Sequence, residues 1–174
     1  GTVTGVQTCA LPICNEAKRA PRLAGQHASY LEKQLEQYAT GRRGEHQRDA
    51  NARQMTLIAP LYLGSERRAA LAAYIAALPD IPFLARIKGD LGKGQKHYVR
   101  CEGCHGKSGQ GDPDAVVPRL GGMSDWYLLQ RLSLIRDGIH PFEPYNAGML
   151  LSLEGLSDED LRDLVAYVVS LSGR

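Results

Sequence analysis

The sequence predicts an all-α protein made of two tandem domains. Three observations carry that reading: a repeat at constant spacing, apolar residues at helical periods in both copies, and no convincing strand-type alternation anywhere in the chain. Residues 21–41 (PRLAGQHASYLEKQLEQYATG) and 118–138 (PRLGGMSDWYLLQRLSLIRDG) share eight residues at an offset of 97. Further on, LAAYIAAL (71–78) matches LVAYVVSL (164–171) at an offset of 93, and a four-residue loop indel accounts for the change. Each half therefore reads as a Pro-Arg-Leu turn, an amphipathic helix, a methionine-bearing loop and a terminal helix.

The elements follow in order. Residues 3–13 (VTGVQTCALPI) match the translation of a common short-read sequencing adapter at all eleven codons, and Cys14 fits a junction codon. Residues 1–13 are set aside as an adapter-like artefact. The segment has neither the charged n-region nor the unbroken apolar h-region of a signal peptide. Residues 14–80 form a first domain, with Tyr30, Leu31, Gln34, Leu35 and Tyr38 on one helical stripe. Pro79 and Pro82 stop its terminal helix, and residues 81–88 link the halves. Residues 89–174 form a complete second domain. It opens on a helix over 89–100 with Gly94 and Tyr98 four apart on one face. It closes on a stripe of Leu161, Leu164, Val165, Val168 and Leu171, with Ser157 and Asp160 as a capping-box variant.

Composition bounds the function. The 174 residues are 43% hydrophobic and 23% charged with a net charge of +2, an ordinary soluble composition. Every apolar run is too short to span a bilayer. The Arg pairs at 42–43 and 67–68 read as solvated helix ends, and no aromatic or groove-reading pattern supports a nucleic-acid partner. The charge is uneven: residues 1–88 carry +5 and residues 89–174 carry −3.

Cys101-Glu-Gly-Cys104-His105 is a C-x-x-C-H motif, the attachment signature of c-type haem. Two thiols can form thioethers with haem vinyl groups, and the adjacent imidazole then serves as an iron ligand. A redox dithiol or half a zinc site remain rivals for the bare C-x-x-C. The first needs a thioredoxin-like βαβ setting and the second a further ligand pair. The other cysteines, Cys9 and Cys14, lie in or beside the adapter-like leader and offer neither.

With this motif, the Gly94/Tyr98 helix before it and the Leu164/Tyr167 pair on the terminal helix, residues 89–174 resemble the class I c-type cytochromes. The repeat makes the whole chain similar to their dihaem cytochrome c4-like group. The resemblance implies haem c bound through Cys101 and Cys104, with His105 and a downstream methionine on the iron. Met149, 44 residues after His105 on the loop HPFEPYNAGM, takes that role in preference to Met123, which reads as core. The resemblance further implies a Pro118 carbonyl accepting from His105, and Arg119 on a haem propionate. Trp126 and Tyr127 are candidate propionate donors or porphyrin walls. Asn146 near Met149 reads as a turn residue, and His27, His46, His97 and His140 as solvated or capping histidines.

Projected backwards by 97, the motif falls on residues 4–8, so the first half has no C-x-x-C-H. Met55 keeps the equivalent of the Met149 position and is expected as the orphan axial ligand of a missing first haem. One haem c attaches in this chain on this reading, and two in an intact parent with a second motif and an export signal. The implied activity is periplasmic electron transfer between redox proteins such as a dehydrogenase or a terminal oxidase, with no catalytic residues. The alternatives are a cytochrome subunit or domain of such an enzyme complex, and a haem module with an open sixth site.

Overall fold

The computed structural model describes residues 20–80, 85–139 and 146–171. The adapter-like leader, the first half of the linker (81–84), His140 and the side chain of Asn146 lie outside the described residues. Among those described there are seven α-helices: α1 (Ala28–Ala39), α2 (Ala50–Tyr62), α3 (Ser65–Ala76), α4 (Leu91–His105), α5 (Asp125–Arg136), α6 (Asn146–Leu153) and α7 (Asp158–Ser170). A single 3-10 turn, Gln47–Asp49, leads into α2.

The repeat is structural. α1 and α5 each have 12 residues, and their first and last residues are 97 apart. α3 and α7 begin 93 apart. In both halves the first repeat helix packs on the terminal helix, α1 on α3 and α5 on α7. The methionine segments differ from expectation, because both are helical rather than loops. Met149 lies inside α6 and Met55 inside α2. Ala, Met and Leu in NAGMLLSL are strong helix formers, and the flanking prolines precede the helix rather than interrupt it.

The main core belongs to the second half. Tyr98, Met123, Leu128, Ile135, Leu153, Leu161, Leu164, Val165 and Val168 form one buried cluster. α4 crosses α7 at Gly94, where an added Cβ would stand 2.1 Å from the Asp163 carbonyl oxygen and 2.7 Å from the Tyr167 Cβ. Hydrogen there lets the two backbones touch. One turn later Tyr98 meets Tyr167 with ring centroids 5.6 Å apart. Asp163 accepts from the Asp90 backbone N–H at 2.7 Å, and Asp90 caps α4 through the N–H groups of Gly92 and Lys93. The Ser157–Asp160 capping box opens α7 as expected. Gly94→Ala must force the helices apart, at a cost of about 3 kcal/mol, the top of the usual overpacking range. Chemical denaturation is expected to show that loss, and a midpoint equal to the parent's would contradict the crossing.

The first half has a thinner core of Leu31, Ala72 and Ile75. Its α2 and α3 leave Leu57, Ile58, Leu61, Tyr62 and Tyr74 at least half exposed. Tyr74 is the repeat equivalent of Tyr167, yet it is 64% exposed, because no described helix crosses α3 as α4 crosses α7.

The halves meet through residues that the repeat relates. Gln26 and Met123 occupy equivalent positions and touch, with Gln26 Nε2 3.6 Å from the Met123 sulfur. Gln26 also clamps the Arg119 backbone, accepting from its N–H at 2.9 Å and donating to its carbonyl at 2.8 Å. Arg22 and Arg119, again equivalent, both pair with Asp80. Such self-matching contacts mark a pseudo-two-fold interface. The linker is held by buried Asp125, whose Oδ2 accepts from the N–H groups of Arg86 and Ile87 at 2.6 and 2.7 Å.

One expectation is corrected at this boundary. Arg43 is not a solvated helix end but is 3% exposed, donating to Gln34 and to the Tyr127 hydroxyl. His27 stands at the N-cap of α1, and its Nε2 also lies 2.8 Å from the Gln110 carbonyl of the other half. In each case the partner is distant in sequence, so the local pattern carries no sign of it. His97, likewise, pairs with Asp160 across α4 and α7 at 3.1 Å. His46 does cap, accepting from the Arg48 N–H.

Candidate functional site

α4 ends in the motif itself. Cys101, Cys104 and His105 stand at i, i+3 and i+4, which places all three on neighbouring positions of one helical face. Both cysteines are free thiols, Cys101 half-buried and Cys104 exposed. Their place inside a helix of an all-α unit does not match a thioredoxin-like βαβ setting. Burial is the main reason that the Cys101 thiol is pushed up to about 11, and Cys104 and Glu102 add to it against Arg100.

The chain turns sharply after His105. Gly106 adopts φ +76°, in the left-handed region that favours glycine. The Tyr98 hydroxyl fixes this turn by donating to the Gly106 carbonyl at 2.6 Å. The following loop folds back on itself through paired hydrogen bonds between Asp112 and Val117. An added Cβ on Gly111 would stand 2.6 Å from the Pro118 carbonyl carbon, so only glycine lets the two strands of the loop approach this closely. The result is a fixed acceptor: the Pro118 carbonyl lies 2.9 Å from His105 Nδ1.

That contact determines the imidazole's chemistry. The residue is 4% exposed, and burial holds it below its ordinary pKa against the opposing pull of the Pro118 carbonyl. A neutral ring that donates from Nδ1 keeps its lone pair on Nε2, the tautomer suited to a metal.

His105 and Met149 line one cleft together with Tyr98, Cys101, Leu128 and Leu164. Its other walls include Leu120, Leu132, Leu153, Val165 and Val168, which extend the main core around the opening. A flat, largely apolar group with a metal at its centre fits this donor set: two thiols on the rim, a neutral imidazole and a thioether. The residues present therefore suit a covalently attached haem.

None of the remaining sequence candidates lines the cleft itself. Pro118 touches His105 directly. The Arg119 guanidinium is engaged by Asp80 at 2.8 Å and by the Gly25 carbonyl at 3.3 Å. Trp126 and Tyr127 meet edge to face on α5 with centroids 5.8 Å apart. Met123 is 4% exposed in the core and does not line the cleft. Met55 is half-buried on α2, in the half that has no C-x-x-C-H.

Sequence reasoning missed the buried polar cluster beside the cleft. Tyr127 Oη accepts from Arg43 at 2.7 Å, Arg43 lies 4.6 Å over the Tyr38 ring, and Arg131 pairs with Asp49 at 2.5 Å. Burial alone would raise the Tyr127 hydroxyl, but Arg43 and Arg131 hold it below its ordinary value. Tyr30, the repeat equivalent of Tyr127, is pushed up to about 12 by burial and by Tyr127 itself. The repeated tyrosines, with Arg131 four residues after Tyr127, were the available signal.

Comparison with known proteins agrees with the geometry. The cytochrome c family model matches residues 91–172. Cytochrome c4 of Thiocapsa roseopersicina is 32% identical over 161 residues, 87% of this chain and 79% of that one. Cytochrome c4 of Stutzerimonas stutzeri is 37% identical over 95 residues, and that match spans 52% of this chain and 45% of the relative, under half its length. A thiosulfate dehydrogenase electron acceptor of Stutzerimonas stutzeri strain A1501 is 28% identical over 87% of this chain and 70% of its own. The solved cytochrome c4 of Acidithiobacillus ferrooxidans superposes with a TM-score of 0.73 at 28% identity, covering 88% of this chain and 89% of that one.

Proposed function

The chain belongs to the cytochrome c4 family of c-type haem electron-transfer proteins, and from that premise we propose that its second half holds one haem c through Cys101, Cys104, His105 and Met149 and relays single electrons between redox proteins. The observation that carries this assignment is the convergence of His105 and Met149 on one cleft with Cys101 at its wall. When bound, haem iron with imidazole and thioether ligands supplies a one-electron couple of raised potential.

The chain's own residues supply the setting. Pro118 fixes the ring plane and tautomer of His105. Met149 is neutral and soft, so it would hold the iron without adding charge. The leucines and valines of the wall make the cleft apolar, which suits a shuttle rather than a site for substrate chemistry. Exposed Cys104 puts the rim of the attached group within reach of a partner. Met55 is the orphan counterpart of Met149, because residues 4–8, where the repeat projects the first motif, hold no C-x-x-C-H. The proposed location is the periplasm, in keeping with the extracytoplasmic haem attachment of the family.

A dehydrogenase is the favoured electron donor, supported by the relative named as a thiosulfate dehydrogenase electron acceptor. A terminal oxidase is the corresponding acceptor. The +5 and −3 halves favour an oriented encounter with such partners. Exchange rates are expected to fall as the Debye length contracts from about 30 Å at 0.01 M salt to about 3 Å at 1 M. A rate flat across that range would remove the orienting role of the charge.

The deciding experiment is a redox titration of holoprotein made with the haem-attachment machinery. A one-electron Nernst slope, with no spectral change when carbon monoxide is added to the reduced form, is expected. Carbon monoxide binding would show an open sixth position and favour the gas- or peroxide-binding alternative.

A further inference from the structure

α5 presents two adjacent faces. Leu128 and Leu132, four residues apart, wall the cleft, while Tyr127 and Arg131, also four apart, project to the boundary with the first half. The boundary group on that second face is strongly cationic for its burial. Arg43, Arg131 and Asp49 are 3%, 8% and 6% exposed. Arg131 pairs with Asp49, whereas Arg43 has only neutral oxygens, those of Gln34 and Tyr127. Among the described residues, two guanidiniums against one carboxylate leave a buried positive charge without a counter-ion, which is strongly unfavourable.

The hydrogen-bond count is incomplete in the same place. Among the described residues, the buried Arg43 Nε and Arg131 Nη2 have no acceptor. Buried guanidinium donors nearly always have one, and a carboxylate is the acceptor that matches a guanidinium fork. Missing charge and missing acceptors together describe one anion with at least two oxygens. Haem would bring carboxylates of its own, the propionates on its rim, into the cleft walled by Leu128 and Leu132, the sequence neighbours of Tyr127 and Arg131.

We propose that Arg43 and Arg131 are positioning residues that receive a propionate carboxylate of the haem held in the second half. The first half, which has no haem-attachment motif of its own in this chain, then acts on its neighbour's cofactor: Arg43 reaches across the boundary, and Tyr127 and Gln34 hold it there. Asp49 has the opposite task of offsetting Arg131. This inference rests on the haem assignment above, and the first measurement below separates the two.

Holoprotein variants are first assayed for one pyridine haemochrome per chain, since absence of haem from the parent protein would overturn the haem assignment itself. The midpoint potential and the propionate bending band in the resonance Raman spectrum are then read. Loss of a cation leaves the carboxylate uncompensated and favours ferric iron. Arg43→Gln is therefore expected to lower the potential by about 59 mV, a tenfold change for a one-electron couple, and to shift the propionate band. Arg43→Lys keeps the charge but loses the fork, so it shifts the band with a smaller change in potential. Asp49→Asn is expected to raise the potential. Unmoved propionate bands in folded Arg43→Gln and Arg43→Lys would overturn the proposal, even if the potential drifts through space. Should Arg43→Gln fail to fold, Arg43→Lys and Asp49→Asn carry the same test, and an unmoved band with an unraised potential overturns it.

Discussion

Replacing Cys101 and Cys104 together with serine is expected to abolish covalent haem in this protein. The hydroxyl is a far weaker nucleophile than a thiol, and the only other cysteines, Cys9 and Cys14, lie outside the fold described here. The loss is complete rather than partial, because Cys101 and Cys104 share one helical face with His105 and no other described residue is a cysteine. Haem staining of the denatured chain should vanish. Thermal stability should fall as well, since a ligand that binds only the folded state stabilises it by mass action, and a tethered ligand does so strongly. The cleft it would vacate is cut into the main core. Retention of haem through denaturation in the double variant would show attachment elsewhere.

Met149→Ala is expected to have the second-largest effect, on the electronic state of the iron rather than on attachment. The substitution removes the thioether from the cleft while leaving His105, Pro118 and both thiols untouched. The weak sulfur-to-iron band at the red end of the spectrum should disappear. The potential should drop by a sizeable part of the roughly 0.8 V over which axial ligands set haem potentials. The reduced protein should acquire carbon monoxide binding. Met123→Ala is the control. Met123 is buried against Gln26 and the core rather than in the cleft, so its loss should cost about 2–5 kcal/mol of stability with the red band intact. The reverse pattern, a band that survives in Met149→Ala and vanishes in Met123→Ala, would exchange the two assignments.

The repeat made much of the fold legible from the sequence. Two helices related by an offset of 97 begin and end at equivalent residues, because the apolar stripe and the turn residues recur together. The capping pair Ser157–Asp160 also marks its helix start correctly, since both partners lie within one turn. Gly94 and Tyr98 indicate a close crossing, because a glycine and an aromatic four apart leave room for one backbone and a platform for the next.

Less was legible where the partner lay far away. Met149 sits on a helix because Ala147, Leu150 and Leu151 outweigh Gly148, while Pro141 and Pro144 end before it begins. Arg43 looked like one of a solvated pair, and its neighbour Arg42 is indeed exposed. Its burial depends on Tyr127, 84 residues away, and no local pattern encodes that meeting. Asp80 and Asp125 look like ordinary loop and helix-start acids in sequence. The first joins two equivalent arginines, one from each half, and the second fixes the linker, through partners distant in sequence. The candidate site followed the same division. The three motif residues were fixed by their spacing, whereas the cationic cluster behind the cleft emerged only from the packed interface.

The most direct test of the account is a peptide mass analysis of proteolysed holoprotein. One haem mass per chain is expected, carried on the peptide that contains Cys101, Cys104 and His105, with every peptide from residues 20–80 unmodified. A holoprotein whose 101–105 peptide carries no haem, or whose first half carries one, would contradict it.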